Sequence, residues 1–453
     1  MFSICELLSL EKALSLSKLD IRMIKAFALS AVFIVLSQIT FLVEPGIAQT
    51  GGPKMGEPVQ LTQAVAWDDS NAVKAALMTS PESLNKENED GWTPLHQAAF
   101  GGKSKAARVL IEHKAEIDPE DGDGERPLSL AASNGHPDIV ALLLKHGAAI
   151  NKPNLVGETP LFEAAENGRL ESVRELLADH ANPKLARKTD GMTPLDIAAE
   201  GGYNDIVVQL LEHGASARET VHAPGQPIDR YTPLHFASEG GHTDVVKTLI
   251  AHGANINAKG ANGNLPIHLA ATWRANDSVI DLLIAHHASV NALNKYHQSP
   301  MHLATWEDRP GTVIKLIKMG ANPNVGDSAG DTPLHLAAHA GRMDMALGLT
   351  DHGANPNIQN RLGQTPLMFA VQGGYDAIVD SLLHRGANAN LKDKQGRTAL
   401  YYLPKENFEY LIHLLTTHGC DQKSKDKEGM TASEFYRKNN EMSVVKYLTD
   451  PLH

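Results

Sequence analysis

Cysteine is nearly absent: Cys5 sits near the N-terminus and Cys420 far downstream, so a chain that loses its N-terminal leader keeps one thiol and no internal disulfide framework. Aromatic residues make up 5% of the 453 residues, which suits thin layers packed through Ala and Leu better than one bulky core. There is no excess of basic charge. With 41 Lys and Arg against 53 Asp and Glu, the net charge is −12, and the chain as a whole lacks the cations that neutralise phosphates, so nucleic acid is not an expected partner. The sequence also contains no Gly-rich phosphate loop, no H-E-x-x-H and no G-x-S-x-G.

Long uncharged runs are scarce too, with one exception. Residues 26–43 (AFALSAVFIVLSQITFLV) carry no charge, follow Arg22 and Lys25, and lead to Gly46 and Ala48. A basic start, an apolar centre and small residues at −3 and −1 read as an export signal over residues 23–48, cleaved after Ala48 so that Gln49 begins the mature chain. The alternative is an uncleaved membrane anchor, since 18 apolar residues lie near the lower limit for spanning a bilayer. Residues 1–22 form an upstream tail or mark a mis-assigned start at the expense of Met23. The sequence therefore predicts an exported protein, periplasmic or secreted, with membrane attachment through residues 26–43 as the alternative.

What is abundant is repetition. Thr93-Pro94-Leu95-His96 returns at Thr159, Thr193, Thr232, Thr332 and Thr365, and weaker copies begin at Arg126, Leu265, Ser299, Thr398 and Thr431. Eleven registers result, mostly 33 residues apart, with one step of 39 between Thr193 and Thr232 that places an insertion within residues 217–229. Each element has a mechanical reason. Thr332 is able to cap a helix, Pro333 fits its first position, Gly341 stops it, and Gly353 closes a second helix in the left-handed conformation.

A T-P-L-H-x-A pattern at this period resembles the ankyrin repeat family, over about residues 89–448. The resemblance implies an all-α solenoid with short β-hairpins: about eleven helix-turn-helix units whose stability is shared between neighbours. Residues 49–88 are expected to hold a linker and a degenerate capping unit around Leu61, Ala64, Val65, Val73, Ala76 and Leu77. Ten repeats follow over 89–422 and a C-terminal capping repeat over 423–453. Lys114, His180 and His287 replace the helix-closing glycine, where an adjusted turn is expected, and Pro404 should break the first helix of the tenth unit.

In the resembled family, recognition uses hairpin tips and the inner helix. On the matching positions of this chain fall Trp92, Tyr231, Trp273, Tyr296 and Trp306, together with Trp67, and Asn262, Asn264, Arg274, Gln298, Glu307 and Asp308 lie nearby. Large aromatics among polar neighbours are typical interface anchors. Packing between adjacent inner helices is the competing reading for Trp273 and Trp306, while Trp92 is expected to be exposed. The function so implied is a non-enzymatic scaffold, a monomer that binds a protein partner of unstated identity. A host-directed effector is a further alternative.

The 22 His residues do not imply a metal. His96, His235, His268, His302 and His335 occupy the motif, where the family uses the ring to join hairpins and helices, and equivalent residues in adjacent units start about 8 to 10 Å apart, too far to share one zinc ion. The acidic tip at Asp118 to Glu125 puts Pro119 at the first ligand position of a calcium loop, so that pattern fails. No cofactor, metal or catalytic residue is expected.

Overall fold

A computed structural model describes residues 59–272 and 277–449. The predicted signal or anchor at residues 23–48 and the upstream tail lie outside the described residues. Among those described, no helix is long and apolar enough to cross a membrane.

The described residues hold 23 α-helices and two short 3-10 turns, arranged as a run of antiparallel pairs from Leu61–Ala66 and Ser70–Thr79 to Ala432–Lys438 and Met442–Thr449. Each first helix packs on the first helices before and after it, and the second helices do likewise, which makes the described residues from Gln60 onward a one-dimensional stack. The sequence makes this possible because first helices carry Ala pairs at the contact: Ala98 and Ala99, Ala164 and Ala165, Ala198 and Ala199, and Ala337 and Ala338 are all fully buried. Leu and Val from the second helices fill the layer behind them, with Val140, Leu143, Val207, Leu210, Leu249 and Leu283 also fully buried.

The helix starts are built from the motif. Thr93 and Thr193 cap their helices through the side chain, Pro occupies the first turn, and His96, His235, His302 and His335 complete capping boxes, whereas His268 makes only the return half because Leu265 has no side-chain acceptor. Each of these imidazoles accepts from a backbone N–H at Nδ1, 3.0 to 3.1 Å away. The proton must then sit on Nε2, which donates to a carbonyl of the next unit: Glu125, Asn264, Gln298, Asp331 or Gln364, at 3.1 to 3.2 Å. One ring thus closes its own helix and ties it to its neighbour. The helix ends use histidine differently. His113, His213, His252, His352 and His418 turn Nδ1 back to a carbonyl four residues earlier, 2.8 to 2.9 Å away.

A second tie runs between the second helices' ends. Asn291, Asn324, Asn357 and Asn390 each donate Nδ2 to the helix-closing glycine of the next unit and accept through Oδ1 from a backbone N–H two residues beyond it. Asp118 and Asn151 supply the same Oδ1 acceptor earlier in the stack.

Two expectations need correction. The hairpin arms form no strand among the described residues, only an isolated bridge between Lys425 and Thr431. The reason is where the backbone groups go. A regular tip closes with one cross-arm bond, such as Asn360 N–H to Gln364 O, and the next amide, Arg361 N–H, turns to Ala329 O of the neighbouring tip. The ladder that would make a hairpin is spent on joining units. Nor are the turns at Lys114, His180 and His287 adjusted: they keep φ values of 71°, 66° and 70°, because Ala115, Ala181 and Ala288 behind them are buried and fix the path of the chain. Pro404 does break the first helix of its unit, as expected, reducing it to Ala399–Tyr402, and the amide this frees is paired. Leu403 N–H donates to the buried Tyr436 hydroxyl at 2.8 Å.

Candidate interaction surface

The candidate contact residues divide by their surroundings. Tyr231 is buried, with 6% of its surface exposed: its ring stacks on His235 with centroids 4.8 Å apart and meets Phe236 edge-on at 5.6 Å. Burial pushes its hydroxyl up to about 12. Trp92, expected on an exposed tip, is half-buried, donates Nε1 to Asp121 at 2.9 Å and lies against Phe100 and His96. Both rings are internal staples, because a neighbouring tip covers each of them.

Asn264 and Gln298 also work within the stack. Their carbonyls receive His235 and His268, and their side-chain oxygens receive the buried Asn294 amide at 2.9 and 3.1 Å. Asn262 is half-buried and accepts the Lys295 N–H at 3.0 Å. Trp273 and Arg274 lie outside the described residues.

Unit seven presents the rest. Trp306, the last residue of Pro300–Trp306, leaves 68% of its surface exposed, and Tyr296 on the preceding tip leaves 47%. The Lys295 ammonium stands 5.0 Å over the Tyr296 ring. Glu307 closes the helix, is half-buried and pairs with no cation among the described residues; Asp308 beside it takes a left-handed φ of 55° and approaches Arg342 at 3.7 Å. Two apolar surfaces thus stand above an acidic corner. Trp67 is 37% exposed at the start of the stack.

Exposed apolar side chains recur on other tips. Leu155 and Val156 are 70% and 46% exposed, and Leu362 is 60% exposed. Val156 and Leu362 each stand two residues after the tip asparagine, Asn154 or Asn360, as Tyr296 does after Asn294. A search for aromatics alone misses these positions; aliphatic residues at the same place in the repeat would have found them.

Buried acids form a different group. Glu163 is buried beneath Glu125 and Glu158; burial and their charges push its carboxyl well above the usual range, and burial pushes Glu125 up as well. Asn154 Nδ2 reaches Glu125 and Glu158 at 2.5 and 3.2 Å, and Arg187 pairs with Glu158 and Asp190 at 2.7 Å each. No group of His, Cys, Asp and Glu among the described residues has an arrangement that could hold a metal ion.

A family model for ankyrin repeats, in a form with three copies, matches residues 61–154, 149–221, 218–294, 234–327, 301–393 and 367–452. The chain belongs to the ankyrin repeat family. This ankyrin repeat chain is similar to the solved human ASB11 ankyrin repeat domain, at 26% identity over 51% of this chain and 99% of that one, with a TM-score of 0.43. No curated protein matches it. Ankyrin repeats typically bind protein partners and are generally not catalytic, so the repeats described above are a protein-interaction scaffold.

Proposed function

We propose that the chain is a non-enzymatic scaffold, monomeric and working outside the cytoplasm, that binds its protein partner around unit seven, with Trp306 and Tyr296 as anchors. The observation that carries this reading is Trp306, a ring 68% exposed at the end of an inner helix, with Glu307 beside it and no ion pair to Glu307 among the described residues. Exposing so much aromatic surface to water is unfavourable, and covering it stabilises a complex. The partner that fits has an apolar surface flanked by cations, in keeping with the net charge of −12.

The test is affinity for a partner recovered from the native compartment and then purified. Trp306→Ala should weaken binding by at least tenfold, the scale of an interface hot spot at about 2 kcal/mol, and Tyr296→Ala should weaken it less. Unchanged affinity in both variants refutes the site. Export rests on the apolar residues 26–43, and sequencing the N-terminus of the native protein decides it. A chain beginning at Gln49 supports secretion or a periplasmic place, whereas membrane-bound protein that retains residues 26–43 supports the anchored alternative. Delivery to a host cell would make the same scaffold an effector, and its partner would then be a host protein.

A further inference from the structure

The insertion at residues 217–229 is a folded loop rather than slack chain. Val221 and Ala223 are buried; Val221 N–H donates to Tyr231 O at 2.8 Å, Arg230 N–H returns to Val221 O at 2.9 Å, and the Asp229 carboxylate receives the Ala223 N–H at 3.0 Å. Asp229 O accepts the Ala261 N–H at 2.9 Å, so the loop is pinned to the next tip. Between this loop and the following unit lies an open cavity of about 620 Å³, a volume suited to a small ligand.

Its lining is unlike the rest of this acidic chain. Arg218, Arg230, Lys259 and His286 border it, and no Asp or Glu does. Arg218, Arg230 and Lys259 form no ion pair among the described residues. Three exposed like charges facing one space raise the local positive potential, and a bound anion lowers it.

The repeat register shows how the site arises. Arg218 stands 25 residues after Thr193, as Asn324 stands 25 after Ser299, so it occupies the asparagine ladder position. It keeps half of that role: Nε donates to Gly253 O at 2.6 Å, as an asparagine Nδ2 would. This caps the carbonyl end of Thr243–Ala251, which would otherwise repel an anion. Having no acceptor, Arg218 cannot take the Asn255 N–H, whose counterparts at Asn322 and Asn355 are bound by the ladder. The Asn255 N–H therefore has no acceptor among the described residues, and it too borders the cavity. Arg230 holds a left-handed φ of 63° without being glycine, a backbone cost of about 1 kcal/mol retained beside the cavity.

We infer that the cavity between the insertion loop and the fifth and sixth units binds a small oligophosphate or multiply phosphorylated ligand. Two guanidinium forks and an ammonium around one free amide match several phosphate oxygens, and the forks favour phosphate geometry. The site shares no residue with the protein-contact surface proposed above and does not depend on it.

Titration calorimetry of the full chain with inorganic tripolyphosphate at low ionic strength tests this. The expected result is saturable binding at one site, weaker for pyrophosphate, weakest for inorganic phosphate, and weaker for citrate than for tripolyphosphate. Arg230→Asn with Lys259→Gln should lower tripolyphosphate affinity by about tenfold or more, since each charged hydrogen bond is worth that scale, and asparagine tolerates the left-handed turn. Lys74→Gln, an exposed site in the first helix pair, should change nothing. Should the double variant lose structure, Lys259→Gln alone carries the test, because that exposed side chain makes no hydrogen bond among the described residues. No saturable heat, an equal loss in Lys74→Gln, full affinity in the variants, or tighter binding of citrate or an oligoglutamate peptide would each overturn the inference.

Discussion

Asp196 stands where five other units place histidine, and replacing it with histidine should stabilise the stack in a pH-dependent way. Its carboxylate receives the Thr193 N–H and hydroxyl at 2.9 and 2.6 Å, but Oδ1 is buried without a partner and no bond reaches the next unit. Burial outweighs those two hydrogen bonds and pushes the carboxyl from 3.8 up to about 7. The folded state therefore holds a proton that the unfolded chain has already released, and stability falls as pH rises from 3.8 to about 7 and is level above that. At about 1.4 kcal/mol per pH unit, the loss is at most about 4 kcal/mol. Asp196→His removes that cost and supplies an Nε2–H for the Tyr231 carbonyl, the position that the other histidines reach, adding about 1 kcal/mol. Near pH 8 the gain is therefore about 4 to 5 kcal/mol. Near pH 5 the aspartate costs only about 2 kcal/mol, and a new histidine buried like His235, whose pKa is pushed down to about 4, costs about 2 itself, so the gain shrinks to about 1 kcal/mol. Urea unfolding followed by far-UV circular dichroism at both pH values measures the difference, and amide exchange in Pro194–Gly201 localises it. Asp196→Asn, which removes the charge without the bridge, should gain less. A gain from histidine that is the same at both pH values, or a loss near pH 8, would refute the reasoning.

Acid should act on the histidine ties themselves. Burial lowers His235 and His268 from 6.5 to about 4, so the unfolded chain binds the extra protons first and stability falls as pH drops from 6.5 to about 4, by about 3 kcal/mol for each ring; a pH titration of the urea midpoint that stays level in this window contradicts it. Tyr436→Phe strands the Leu403 N–H and should cost about 1 to 3 kcal/mol, seen as faster amide exchange in the last two units with the first units unchanged. Asn324→Ala removes both the bond to Gly353 O and the acceptor for the Asn355 N–H, and should cost about 1 to 2 kcal/mol in thermal unfolding. Lys114→Gly relieves an exposed left-handed turn and should raise stability by about 1 kcal/mol; no gain would show that the flanking residues, not the side chain, set that conformation's cost.

Local chemistry made the repeat legible. Thr, Pro and His at fixed offsets specify a capped helix start, and a 33-residue period means that each unit meets a copy of itself, so architecture followed from the chain alone. The gap of 39 residues likewise located the insertion, and Pro404 located the broken helix. Burial of individual aromatics was not legible, because the sequence position of Tyr231 or Trp92 says which face a ring starts from and not what lies over it. Trp92 meets Asp121, 29 residues away, and Tyr231 is covered by the next tip at Gly260, also 29 residues away. The basic cavity is of the same kind. Arg218, Arg230 and Lys259 are unremarkable in sequence; they come together because an inserted loop is pinned across a stack whose asparagine ladder Arg218 interrupts. Periodic contacts repeat with the chain and are written in it, whereas sites made where the period fails depend on distances between units, which only the packed structure sets.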